Sequence, residues 1–328
     1  MTLQDDYQAI REGAAFAVAG DRARIAVSGR DRASYLQGLL TNDILAVTPG
    51  TGCYAAWLTP QGRMTTDMHI LESGDMILLD VPAATRESVL QRLDQFIFTE
   101  DVQLGDLSAL LGQVALHGPR AAAVVEQVAG LQGLDGWRQY RNARTDFAGS
   151  PLVVARLDQL GVPGFTMYVD ADRASELVAA LERAGASRAG EEATTALRVE
   201  AGYPLYGIDM DDDIIPLEAG IEARALSLTK GCYVGQEVII RVLHRGHGRV
   251  VRHLVGLRVE SAQAPARGTR IHAGSRDIGF VTSSAVSPRL GTIALGYAHR
   301  DFVEPGTEVE LDAGAGRVPA TVSVLPFA

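Results

Sequence analysis

Cysteine is nearly absent from this chain: Cys53 and Cys232 are the only two among 328 residues. Two thiols cannot build a disulfide framework, so a packed core must hold the fold, as expected in a reducing compartment. Long apolar runs are also missing. No stretch approaches the roughly 20 residues that a membrane-spanning helix needs. The start, Met1-Thr2-Leu3-Gln4-Asp5-Asp6, is acidic and polar, unlike a secretory signal. Positive charge is in deficit, with 30 Lys and Arg against 40 Asp and Glu, a net of -10. That balance argues against broad electrostatic binding to nucleic acid or an acidic membrane, although it allows a local basic patch. The expectation is a cytoplasmic protein with no membrane segment and no direct nucleic-acid partner.

What remains is ordinary in bulk: 47% hydrophobic and 21% charged residues, enough chain for two or three cores. Alternation predicts a strand over Arg24-Ile25-Ala26-Val27-Ser28, and apolar residues at helical spacing predict a helix from Arg32 to Leu40. Cys53 to Leu58 reads as a strand between turns at Thr48-Pro49-Gly50 and Thr59-Pro60-Gln61-Gly62. One unit then occurs twice. Met68 to Leu71, a turn at Glu72-Ser73-Gly74-Asp75, and Met76 to Val81 form a hairpin, followed by a helix from Ala84 to Phe96. Leu152 to Leu157, a turn through Gly161-Val162-Pro163-Gly164, and Phe165 to Val169 form another, followed by a helix from Arg173 to Ala184. Between them a strand is expected from Gln113 to Gly118 and a helix from Pro119 to Val128, begun by its proline. Such units bury one sheet face under their helices, which predicts two related α+β lobes. From His253 onward, short alternating runs separated by Gly, Pro, Ser and Asp turns predict a small antiparallel barrel or sandwich. The expected division is an α+β region over 1–250 and a β domain over 251–328.

The most informative stretch is Lys230-Gly231-Cys232-Tyr233-Val234-Gly235-Gln236-Glu237. A cation beside a thiol favours the thiolate, and flanking glycines let a ligand or another chain approach the sulfur. A packed surface loop would also account for the residues. Glu191 to Gly202 reads as a helix that places Arg198 and Glu200 near its C-terminus, where the dipole disfavours a carboxylate unless it has a partner. A carboxylate can accept two parallel N–H bonds from an aminopyrimidine; a structural ion pair with an arginine is the plainer use of Glu200. Asp67 follows Gly62-Arg63-Met64-Thr65-Thr66 and could cap a turn. The run from Arg241 through His244, Arg245, His247, Arg249 and Arg252 to His253 is a basic patch suited to an anionic tail. His244 and His247 with Cys232 lack regular metal-ligand spacing, so no metal is expected. Cys53 reads as a buried small hydrophobe. Asp209, Asp211, Asp212 and Asp213 read as a solvated loop.

Leu197-Arg198-Val199-Glu200-Ala201-Gly202, Tyr206-Gly207 and Pro216-Leu217-Glu218-Ala219-Gly220, together with the Lys230 to Glu237 segment, resemble the YgfZ family of folate-binding, iron–sulfur-associated proteins. The wider resemblance is to the aminomethyltransferase (T-protein) of the glycine cleavage system, which shares the R-x-E-A-G, Y-G and P-L-E-A-G pattern. The K-G-C-Y-x-G-Q-E segment is the YgfZ signature and is not expected in the T-protein. The likeness runs from Leu36-Gln37-Gly38 and Thr41-Asn42-Asp43 to Gly279-Phe280-Val281-Thr282-Ser283 and Ser287-Pro288. It implies two interleaved N-terminal α+β lobes and a C-terminal antiparallel β-barrel.

The resemblance also implies tetrahydrofolate as cofactor. Glu200 would read the pterin, with Arg198, Asp67, Tyr206, Lys230, Gln236 and Arg249 completing the folate site. Cys232, Lys230 and Asp67 would carry any chemistry, Asp67 assisting one-carbon transfer as in the T-protein. The first expectation is therefore a reduced-folate-binding protein that supports assembly or repair of iron–sulfur clusters in client enzymes, including those modifying tRNA. The alternative is a folate-dependent aminomethyltransferase, which must admit a lipoyl-lysine arm. A third is a binding module that kept the fold and lost the ligand.

Overall fold

The computed structural model describes residues 2–18, 20–244, 248–312, 314 and 316–328. The acidic start forms a helix, α1 (Leu3–Glu12), where sequence suggested only a polar segment. Thr2 and Asp5 close a reciprocal capping box at its N-terminus. Strand β1 (Ala15–Val18) follows.

Two lobes then repeat one order of elements. The first runs β2 (Arg22–Ser28), α2 (Arg32–Gln37), β3 (Thr51–Leu58), β4 (Met64–Glu72), β5 (Met76–Pro82), a 3-10 turn, α3 (Arg86–Gln95) and β6 (Gln103–Asp106). The second runs β7 (Leu111–His117), α4 (Ala121–Ala129), β8 (Asn142–Phe147), β9 (Ser150–Arg156), β10 (Gly164–Asp170), a 3-10 turn, α5 (Ala174–Arg183) and β11 (Ser187–Arg188). The sheet orders are β3-β4-β5-β2-β6 and β11-β1-β7-β10-β9-β8. β1 inserts between β7 and β11, so the chain enters the second lobe before building the first. The lobes are interleaved.

Period-two alternation orients each sheet. In β5, Ile77, Leu79 and Val81 pack outward with Val89 and Leu93 of α3. In β10, Phe165, Met167 and Val169 do the same with Leu177 and Leu181 of α5. The opposite faces meet. Asp80 pairs with Arg24 and His69 across its neighbouring strands, and Tyr168 pairs with Gln113 and Val153. Asp80 and Tyr168 thus hold corresponding places, and they touch: Asp80 Oδ2 accepts from Tyr168 Oη at 2.6 Å and from Gln113 Nε2 at 2.8 Å. Arg22 Nε donates to Asp80 Oδ1 at 2.6 Å.

Three further helices lead to the barrel: α6 (Glu191–Glu200), α7 (Glu222–Ala225) and α8 (Gln236–His244). The barrel is closed, in the order β12 (Arg252–Val259), β15 (Gly291–His299), β14 (Arg276–Ser287), β13 (Arg270–Ala273), β16 (Glu308–Asp312) and β17 (Arg317–Ser323). Ala196 and Val199 of α6 pack on Ala285, Ile293 and Leu295, which docks the barrel against the lobes. The helix expected from Arg32 to Leu40 stops at Gln37, and α7, α8 and β13 were not foreseen. α8 begins in the cysteine-motif segment and ends in the run read as a basic patch; its Ile239 is buried in the inter-lobe core with Val242 and Leu243 against it.

Candidate functional site

Alternation along β4 turns Met68 and Ile70 into the outer core of the first lobe and Asp67 toward the second. Asp67 is 3% exposed. Tyr54 Oη, from the neighbouring strand, donates to Asp67 Oδ2 at 2.7 Å, and Arg22 Nη1 lies 3.7 Å from Oδ1. The Arg224 guanidinium, brought in by α7, is stacked 4.5 Å from the Tyr54 ring centre and 3.9 Å from that of Tyr203. Cation–aromatic stacking in a dry site is worth up to about 2 kcal/mol.

Three buried atoms of this cluster have no hydrogen-bond partner among the described residues: Asp67 Oδ1, Arg224 Nη2 and Tyr203 Oη. Leaving such an atom unpaired costs about 1–3 kcal/mol each, and more for a charged group. An acceptor, a cationic donor and a hydroxyl with unmet bonding capacity are thus grouped in one buried cluster. His69 forms the adjoining wall, with Tyr140 Oη 3.1 Å from Nδ1 and Gln159 Nε2 2.8 Å from Nε2. Burial, reinforced by Arg22, pushes its pKa down to about 3 and keeps the ring neutral. Arg22 and Tyr203 also line a cavity of about 940 Å³ between the second lobe, α6 and the barrel, shared with Asp80, Gln113, Gln159 and Arg198. The cluster abuts that cavity through these two residues.

The other residues expected at the site divide. Arg198 faces the cavity but is bound: Nη1 donates to Asp209 Oδ2 at 2.7 Å and to the Tyr203 carbonyl at 2.8 Å, and Nη2 donates to Ser283 Oγ at 2.7 Å. Asp209, read as part of a solvated loop, is instead 2% exposed and accepts from Thr282 and Ser283 of the barrel. Tyr206 is half-buried, its phenol pushed up to about 12 by burial and by Asp212, Asp211 and Asp67.

Glu200 is not placed to read a ligand. Two residues along a helix turn a side chain by about 200°, so it faces away from Arg198. Tyr7 Oη donates to both its carboxylate oxygens at 2.9 and 3.1 Å, Ser287 Oγ to Oε1, and Arg289 Nη2 to Oε2 at 3.2 Å. Its valences are taken up by α1 and the barrel.

The Lys230–Glu237 segment also departs from expectation. Lys230 Nζ donates to the carbonyls of Gln37, Leu40 and Asn42. It is therefore committed to the end of α2 and does not activate the exposed Cys232. Gly235 has φ +83°, and a Cβ there would lie 2.4 Å from the Thr59 carbonyl oxygen. That glycine serves loop packing rather than access to the sulfur. Gln236 opens α8, and Arg249 is exposed; neither meets the cluster around Asp67 through a hydrogen bond among the described residues. Arg245 and His247 lie outside the described residues. Cys53 is half-buried, its thiol pushed up to about 12 by burial against the pull of Lys230.

Sequence reasoning missed Tyr54, Tyr203 and Arg224. Their one visible signal was position: Tyr203 directly follows Ala201-Gly202, and Arg224 follows Pro216-Leu217-Glu218-Ala219-Gly220 by four residues.

Residues 1–230 match the GCVT N-terminal domain, and residues 252–328 match the glycine cleavage T-protein C-terminal barrel domain. The aminomethyltransferase of Geobacillus kaustophilus is 31% identical over 99% of this chain and 90% of its own length. That of Rubrobacter xylanophilus is 32% identical over 99% of this chain and 86% of its own length. The crystal structure of glycine cleavage system aminomethyltransferase T from Bartonella henselae superposes with a TM-score of 0.89, at 23% identity, over 99% of this chain and 89% of that one. This last likeness establishes the fold. The names of these near full-length relatives overturn the expectation of a YgfZ-type protein serving iron–sulfur clusters, and favour the aminomethyltransferase alternative. No helix among the described residues is long and apolar enough to cross a membrane.

Proposed function

Because the chain belongs to the glycine cleavage T-protein family, we propose that it is a folate-dependent aminomethyltransferase, with reduced folate held beside Asp67. The observation that carries this reading is the set of unpaired buried atoms, Asp67 Oδ1, Arg224 Nη2 and Tyr203 Oη. A reduced pterin offers N–H donors, a carbonyl acceptor and a flat face, which complement a carboxylate, a guanidinium and aromatic walls. The donor set fits the group.

Tetrahydrofolate would supply the nitrogen that accepts the one-carbon unit. Tyr54 Oη fixes the Asp67 carboxylate through Oδ2, leaving Oδ1 to accept a ring or bridging N–H. Oδ1 is the natural acceptor of the proton that such a nitrogen must lose as it forms its new bond. Arg22, 3.7 Å from Oδ1, and Arg224, stacked on the Tyr54 ring whose hydroxyl holds Oδ2, put positive charge on the Asp67 side of the cluster. The neutral His69 adds no competing cation. Arg198, Asp209 and Ser283 tie α6 to the barrel and so fix the opposite wall of the cavity.

The test is reconstitution: the protein is added to a glycine-cleavage mixture lacking only its T-protein, with an aminomethylated lipoyl carrier. Folate-dependent ammonia release supports the assignment. No release above background, with folded protein and saturating folate, contradicts it.

A further inference from the structure

Two segments far apart in sequence, residues 37–42 and 227–233, meet at one buried point outside the cavity. The Lys230 ammonium donates to the carbonyls of Gln37 and Leu40 at 2.5 Å each and of Asn42 at 2.9 Å, 5.1 Å from the centre of the Tyr233 ring. An ammonium has three N–H donors, so all are spent on this one segment. The segment in turn bonds two elements. Asn42 Nδ2 donates to the carbonyl of Tyr54 at 2.8 Å and to that of Arg224 at 3.0 Å. Thr41 Oγ1 donates to the Ala225 carbonyl at 2.7 Å and accepts from the Ala56 amide at 2.9 Å. The Thr41 backbone adds bonds to Ala56 and Ser227. One short loop thus ties β3, behind Tyr54, to α7, behind Arg224.

We propose that Lys230 is a positioning residue: by holding the 37–42 segment it sets the spacing of Tyr54 and Arg224, and with it the edge presented beside Asp67. The inference rests on the reading of that edge as the folate pocket. Arg224 lies against the Tyr54 ring, and Tyr54 Oη orients Asp67, so a shift of the loop moves both the cation and the carboxylate. Misplacement by about 1 Å can cost a hundredfold in a site of this kind. Without the ammonium, the three carbonyls lose their shared donor and the loop loses its tie to the 227–233 segment. The lysine at the head of the cysteine motif therefore acts through β3 and α7, while Cys232 takes no part.

Two variants test this. Lys230→Met keeps the aliphatic stem and removes only the donors; Thr41→Val removes the bridging hydroxyl at constant shape. Amide hydrogen exchange is measured on ligand-free protein, and tetrahydrofolate affinity by calorimetry well below each variant's melting temperature. The expected result is faster exchange confined to residues 39–57 and 222–228, with residues 150–170 unchanged. Affinity should fall at least about tenfold while the protein is still fully folded. A lowered melting temperature with unchanged affinity would overturn the proposal, as would unchanged exchange or a rise spread evenly over both lobes. Should the parent protein fail to bind tetrahydrofolate, the folate reading falls. The exchange pattern then decides the clasp alone, a confined rise supporting it and any other pattern overturning it.

Discussion

Asp67 and Glu200 are both buried carboxylates, yet their surroundings give them opposite uses. Asp67 keeps one oxygen without a hydrogen bond, 3.7 Å from Arg22, whereas Glu200 has donors on both oxygens from α1 and the barrel. Asp67→Asn should lower aminomethyl transfer by about a hundredfold or more, the usual worth of a positioned proton acceptor. Steady-state ammonia release measures it. Glu200→Ala should destabilise the protein by about 3 kcal/mol, because Tyr7, Ser287 and Arg289 lose a shared buried partner. Chemical denaturation checks this, and the affinity for tetrahydrofolate should be unchanged. The two cysteines also separate at this scale. Cys232 should alkylate readily and Cys53 scarcely at neutral pH, since one is exposed and the other is half-buried with its pKa raised to about 12.

Among elements, the segment from Lys230 to α8 is the most constrained. Gly235→Ala places a Cβ in the left-handed region and against the Thr59 carbonyl, and should cost about 1–3 kcal/mol, read as a lower melting temperature. What could be read in advance follows from what makes each element. β5 and β10 were legible because alternation alone decides which residues face a helix, and short strands between turns marked an antiparallel barrel or sandwich without deciding between them. α8 was hidden because its start was read as a cysteine-motif loop and its end as a basic run, while Ile239, Val242 and Leu243 turn into the core. At the site, Asp67 was visible within a local motif. Tyr54, Tyr203 and Arg224 were not, because their stack joins three segments whose contact is purely tertiary. Lys230 was placed beside Cys232 by sequence proximity; in the fold, three carbonyls from nearly two hundred residues earlier claim it.

On the scale of the whole molecule, two α+β lobes of one element order face each other across polar side chains, and α6 binds the barrel to them. That polar seam makes the fold acid-sensitive. Burial lowers the pKa of His69 to about 3 and of His117 to about 4, from 6.5. The unfolded chain therefore binds protons that the fold refuses, and stability should fall as pH drops from about 6.5 toward 4. The slope is up to about 1.4 kcal/mol per pH unit for each histidine. Denaturation midpoints across pH 4 to 7 test this sign.

The central claim is that the unpaired atoms around Asp67 bind reduced folate, and titration calorimetry with tetrahydrofolate tests it most directly. The parent protein should bind one equivalent. Arg224→Leu, which removes the stacked cation while the tyrosine rings remain, should bind at least about tenfold more weakly, a loss of about 1.4 kcal/mol. Absence of binding in the parent protein, or equal affinity in the variant, would contradict the account.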